Sequence, residues 1–145
     1  MSEPLCDDLG FLIARTHRAM RRWLASRLDP FDITHEQFAV LACLWDEEGL
    51  SQTELAERAY ADETSLTRML QRMEESELIR REGDEEDQRV NRVHLTAAAR
   101  DLEAQVIPLR QRGLRQATEG LSSYEVRELK RMLNRVFENL AHDEL

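Results

Sequence analysis

Glycine and proline are scarce in this chain, at 5 and 3 of 145 residues, and aromatic residues make up only 6%. That balance favours helices with short connections over an all-β fold, which needs turn residues at short intervals. No apolar run approaches the ~18 residues that a membrane-spanning helix requires. The acidic start MSEPLCDDLGF lacks the basic and apolar regions of a secretory signal. The end His142-Asp143-Glu144-Leu145 spells a lumenal retention address, but without an entry signal it is expected to be a frayed helix end in a cytoplasmic protein. Two cysteines, Cys6 and Cys43, are too few for a disulfide framework and fit a reducing compartment. Cys43, inside FAVLACLW, reads as an inert core thiol, and Cys6 as a surface thiol near the start of the first helix.

Basic charge is also lacking. The net charge is −9, and residues 51–95 carry 7 Arg against 12 Asp plus Glu, a net of −5. A nucleic-acid reader built from this segment must work through placed arginines, not a bulk basic patch. Catalytic and metal-binding patterns are missing as well. His17, His35, His94 and His142 have no metal-ligand spacing, and no Gly-rich phosphate loop, carboxylate pair or nucleophile–base arrangement stands out. The expectation is therefore no enzyme, no cofactor and no metal.

What the chain does have is helical periodicity. In residues 5–28, Leu5, Leu9, Leu12, Ile13, Thr16, Met20, Trp23 and Leu24 recur at three- and four-residue spacing, and Asp29-Pro30 closes the stretch. Thr34 to Gln37 is a capping-box pattern for a helix to about Asp46, apolar on every side from Phe38 to Trp45. Ser51 to Glu54 is a second box, opening a helix to about Arg58, with a turn at Ala59-Tyr60-Ala61. Asp62 then caps a helix to about Ser76. Leu78 to Glu82 and Arg92 to Leu95 read as strands around the loop GDEEDQ. Thr96 caps a long helix to about Gly120, with a kink expected at Pro108, and Ser122 to Glu125 is a third box. The last helix shows Val126, Leu129, Met132, Leu133, Val136, Phe137 and Leu140 on one face.

The fold class is therefore mainly α: a winged helix-turn-helix over residues 34–96 within a single domain. The helices 5–28 and 97–142 carry more apolar stripe than one small reader can cover, and a symmetric dimer is the economical way to bury it. In such a fold the second helix of the motif enters the DNA major groove. On residues 62–76, Leu66, Met69, Leu70 and Met73 share one arc of the wheel. Thr64, Ser65, Thr67, Arg68, Gln71, Arg72 and Glu75 lie opposite; all but Glu75, at the far end, are hydrogen-bond donors suited to base edges and phosphates. Ser51, Gln52 and Thr53 open the preceding helix, where free N–H groups can hold a phosphate. Arg89 in the wing is placed for a minor groove, with Asp87 to orient it. A cleft for a small aromatic or phenolic effector is expected near His17, Phe38 and Trp45.

TSLTRMLQRMEESELIRR and DQRVNRVHLT, with ITHEQFAVL and LSQTELAERA, resemble the MarR family of bacterial transcriptional regulators over nearly the whole chain; the wing matches its pattern D-x-R-x-x-x-V-x-L-T. The resemblance implies a homodimeric, ligand-responsive repressor on a palindromic double-stranded operator, released by a small, often phenolic, ligand or by oxidation. Gly10 falls where the peroxide-sensing branch carries its reactive cysteine, with Cys6 one turn earlier, which disfavours oxidation sensing here. Glu77 stands where the family usually has the glycine of a left-handed helix end, so this helix must end differently or bear strain. The acidic reader leaves an alternative open, a winged-helix module for protein interaction that has lost DNA binding.

Overall fold

The computed structural model describes residues 2–59 and 61–142. The first helix opens one turn later than its apolar repeat suggests. Leu5–Asp7 form a short 3-10 turn holding the exposed Cys6. Asp8 then caps α1 (Leu9–Leu28), its carboxylate accepting from the Phe11 N–H at 2.9 Å. An acid there satisfies a free donor and sits at the positive end of the helix dipole. Asp29–Phe31 make a second 3-10 turn, with Pro30 in it.

Thr34 and Gln37 form the expected reciprocal box at the start of α2 (His35–Asp46). Phe38, Val40, Leu41 and Leu44 of α2 are buried, but Ala39, Ala42, Cys43 and Trp45 are only half-buried. The helix is thus central without being enclosed on every side. Gly49, at φ +78°, turns the chain into β1 (Leu50–Ser51). Next come α3 (Gln52–Ala59), α4 (Glu63–Glu75), β2 (Ile79–Gly83) and β3 (Asn91–Leu95). The three strands form one antiparallel sheet in the order β1-β3-β2, with Leu50 opposite Val93 and Ile79 opposite Leu95. The expected hairpin is thus joined by a third, two-residue strand.

Thr96 caps α5 (Ala97–Ala117), its hydroxyl accepting from the Ala99 N–H at 3.2 Å. The helix continues through Pro108 and ends before Gly120. Ser122 and Glu125 box the start of α6 (Ser123–Ala141). The retention-like end beyond His142, and Tyr60 in the expected turn, lie outside the described residues.

Two compact units result, residues 1–110 and 111–145. The whole buried core lies in the first. Leu24 and Leu28 of α1 and Ala99 and Val106 of α5 share that core with the winged-helix side chains Leu41, Leu55, Leu66, Leu70, Met73 and Val93. Burying each leucine contributes about 1.5–3 kcal/mol. In the second unit no described residue is buried. No helix among the described residues is long and apolar enough to cross a membrane.

Candidate nucleic-acid interface

α4 is anchored by Leu66, Leu70 and Met73, each 0% exposed, with Met69 half-buried beside them. Asp62 caps it as expected, accepting from the Ser65 N–H at 2.8 Å. That bond holds the Asp62 carboxyl below its usual range. The opposite face is solvent-exposed. There the side chains of Thr64, Arg68, Gln71 and Arg72 make no hydrogen bond or ion pair among the described residues, while the Ser65 side chain bonds the Asp62 carboxylate. Free donors on a rigid helix are what base-edge and phosphate recognition needs, because no internal partner has to be given up first.

The rest of the predicted donor set is engaged. The Ser51 hydroxyl accepts from the Glu54 N–H at 3.1 Å, and the Glu54 carboxylate accepts from the Ser51 N–H at 3.2 Å. This box depresses the Glu54 carboxyl. Gln52 Nε2 donates to Thr67 Oγ1 at 2.8 Å, and Thr67 Oγ1 donates to the Glu63 carbonyl oxygen at 2.8 Å. Thr53 Oγ1 lies 3.4 Å from Glu63 Oε1 as its donor. The openings of α3 and α4 are therefore tied to each other.

α4 keeps the left-handed end, with glutamate in the place of glycine: Glu77 has φ +59°. The Leu78 N–H bonds the Met73 carbonyl at 2.9 Å and the Glu77 N–H bonds the Glu74 carbonyl at 3.1 Å. This is the paired bonding of a Schellman end, so the expected alternative of a different ending does not occur. Burial of Leu78 and Met73 across the cap outweighs the side-chain clash at Glu77. Thr96 Oγ1 also donates to the Glu77 carbonyl at 2.7 Å.

In the wing, Arg89 and Asp87 meet as anticipated. Arg89 Nε and Nη2 donate to the two Asp87 carboxylate oxygens at 3.1 and 3.4 Å, and the Arg89 side chain is 91% exposed. The Arg89 side chain is the first cause holding the Asp87 carboxyl below its usual range. Two of the four loop acids have structural work. Asp84 accepts from the Glu86 N–H and Asp87 from the Arg89 N–H, both at 3.0 Å, the pattern of an Asx turn.

Three residues of this region had no signal in the sequence. Arg92 Nη1 donates to the Gly49 carbonyl at 2.8 Å, while its Nε and Nη2 donate to Asp84 at 3.3 and 3.1 Å. It ties the wing loop to the turn before β1. Glu48 accepts from the Leu95 N–H at 3.0 Å and from Arg100 at 2.8 and 2.9 Å. The Arg100 guanidinium is the main cause that holds the Glu48 carboxyl down at about 2. Apart from Asp84, eight residues from Arg92, these partners are 43 to 52 residues apart, beyond any local pattern.

The predicted effector residues do not gather in one place. Phe38 is buried against Trp45 with ring centroids 6.1 Å apart, and Trp45 Nε1 donates to the Ala99 carbonyl at 3.0 Å. His17 is exposed and stands 6.3 Å from the His35 ring. A cleft of about 300 Å³ is lined by Arg21, Ala25, Ile33, His35 and Glu36, among others, and by none of the three. Burial, then the positive charges of Arg21, His17 and Arg110, push the His35 pKa down.

The comparisons with known proteins agree with this geometry. A MarR family profile matches residues 33–91, from the end of the turn before α2 into the wing. The regulator MgrA of Staphylococcus aureus is 30% identical over 133 residues, 91% of this chain and 89% of that protein. The chain belongs to the MarR family. The organic hydroperoxide resistance transcriptional regulator of Bacillus subtilis is 38% identical to this MarR protein over 90 residues. That match takes in 62% of the chain and spans 61% of the Bacillus protein. Among solved structures, a cysteine-to-serine mutant of E. coli MarR complexed with operator DNA superposes with a TM-score of 0.81 at 29% identity, covering 92% of this chain and 99% of that one. The MarR winged helix is thus present, with α3, α4 and the β2–β3 hairpin in place.

Proposed function

We propose that this MarR protein is a sequence-specific reader of double-stranded DNA that regulates transcription, acting as a homodimer on a palindromic operator. The observation that carries this is the row of unpartnered donors Arg68, Gln71 and Arg72 on α4, with the exposed Arg89 in the wing. Arg68 and Arg72 offer bidentate pairing to guanine and Gln71 to adenine. Arg89 suits a narrow minor groove. The likeness to a MarR protein solved on its operator supports the same reading.

The dimer rests on apolar surface. Leu9, Phe11 and Met20 of α1 are 59%, 56% and 40% exposed. Leu129, Met132, Leu133 and Leu140 of α6 are 40–65% exposed. Water-facing side chains of this size and spacing are suited to a self-complementary interface with a second copy. An aromatic acid is the effector class that best fits the guanidinium groups of Arg21 and Arg110, whose charges both bear on His35. The Arg110 guanidinium lies 5.0 Å over the Phe38 ring with no carboxylate partner among the described residues.

Fluorescence anisotropy with a labelled duplex from the gene's own upstream region, at ~150 mM salt with random competitor, tests the reading. Saturable binding that resists competitor, and weakens on adding an aromatic acid such as salicylate, is the expected result. Absence of any duplex binding would favour the protein-interaction module instead, for which the net charge of −5 over residues 51–95 is the supporting observation.

A further inference from the structure

Every polar side chain that opens α3 has found a partner, and that divides the interface into two jobs. The Thr67 hydroxyl has one proton, and the Glu63 carbonyl holds it at 2.8 Å. Gln52 Nε2 occupies an acceptor position of the same oxygen at 2.8 Å. Thr67 therefore cannot donate to a phosphate or to a base acceptor without breaking its own helix-turn bond. Next to Gln52 on α3 and one turn before Thr67 on α4, Thr53 and Glu63 make a second, longer link at 3.4 Å. By contrast, Arg68, next to Thr67 on the exposed face, has no such partner among the described residues.

We infer that Gln52 and Thr67 are positioning residues: together they form a strut that fixes the angle between α3 and the recognition helix. Base preference then belongs to Arg68, Gln71 and Arg72. The reasoning rests on the DNA-reading function proposed above. The strut matters because α3 and α4 otherwise meet through apolar side chains of the shared core, such as Leu55, Leu66 and Leu70. A seam of leucines resists separation but resists sliding poorly, since dispersion is non-directional. A hydrogen bond across the mouth of the two helices has direction and sets the register. Groove recognition tolerates little error, because a bidentate pair to a base is lost when the helix shifts by a fraction of an ångström.

The test is a double-mutant cycle on the full-length protein. Thr67→Val, Gln52→Ala and the double variant are titrated against the operator and against a set of operators mutated one base pair at a time. Melting temperature is followed alongside to set aside variants that fail to fold. Each single change is expected to weaken operator binding by about threefold to tenfold, the effect of one hydrogen bond. The double change should be no worse than the poorer single one, and the rank order of the mutated operators should stay unchanged. Thr67→Ser, which keeps the hydroxyl, should restore most of the affinity. Additive losses, or a changed preference at one base pair in Thr67→Val, would overturn the strut and make Thr67 a base reader. If the unmodified protein bound the operator but Thr67→Val bound it equally well, the strut would fall while the DNA-reading function stood. An unmodified protein that bound no duplex would overturn both.

Discussion

Glu48 and Arg100 face each other across 52 residues of sequence in a two-point ion pair, with Nη2 2.8 Å from Oε1 and Nε 2.9 Å from Oε2. The same Glu48 carboxylate takes the Leu95 N–H, so one side chain joins the end of β3 to α5 and to the turn after α2. Glu48 holds its proton only below about 2 in the folded protein, against an ordinary value of 4.5. Because the folded pKa is depressed, the stabilisation is fully present above about 4.5 and is lost as pH falls toward 2. The melting temperature should drop across that window. Glu48→Gln should lower it at neutral pH and make the acid drop smaller. An acid limb of undiminished size in the variant would assign the drop to other carboxylates.

Glu77→Gly should stabilise the protein. A side chain in the left-handed region costs about 1–2 kcal/mol, and glycine returns part of this as unfolded-chain entropy, leaving a gain of about 0.5–1 kcal/mol. Glu77→Val should do the opposite, because branching at Cβ aggravates the clash. Urea midpoints at constant m-value measure both changes.

Operator affinity should separate the two kinds of arginine. Arg68→Ala should cost about 1–3 kcal/mol on the cognate site and little on random DNA. Arg89→Ala should weaken binding more evenly, or mainly at sites with A·T-rich flanks. Asp87→Ala should act like a milder Arg89→Ala, since Asp87 holds the guanidinium at 3.1 Å. Tighter binding by Asp87→Ala would show instead that its charge matters more than its grip. The log–log salt slope should be near −0.9 per phosphate neutralised, at the shallow end for a dimer because of the acidic wing.

Leu133→Asp and Val136→Asp, placed on α6, should break the proposed dimer by putting charge into an apolar interface, at a cost of several kcal/mol. Light scattering should show a dimer for the unmodified protein and a monomer for the variants. A stable monomer in the unmodified protein would remove the interface from consideration.

Much of the fold was legible because its signals are local. Thr34/Gln37, Ser51/Glu54 and Ser122/Glu125 each form their box over three residues, and Asp62 caps α4 in the same span. Binary pattern alone placed the buried face of α4 and the strand that carries the inward Val93 and Leu95. β1 escaped notice because two residues carry no periodicity, and its partner Val93 lies 43 positions away from Leu50. Arg92 carried no signal and Gln52 was legible only as a phosphate contact, since nothing near them in sequence names Gly49 or Thr67 as a partner. The effector residues failed to converge for a related reason. A shared helix face brings Phe38 and Trp45 together, but as a packed pair and not as an open wall.

The lack of any buried side chain among residues 111–142 makes protein concentration a structural variable. A helix without a core of its own draws its stability from whatever covers it. In the proposed dimer that cover is another copy, so α6 obeys mass action while the core of residues 1–110 does not. Dilution below the dimer dissociation constant should fray the C-terminal helix first and leave the winged helix folded. Cellular copy number would then decide how many complete regulators exist at all, before any effector is present.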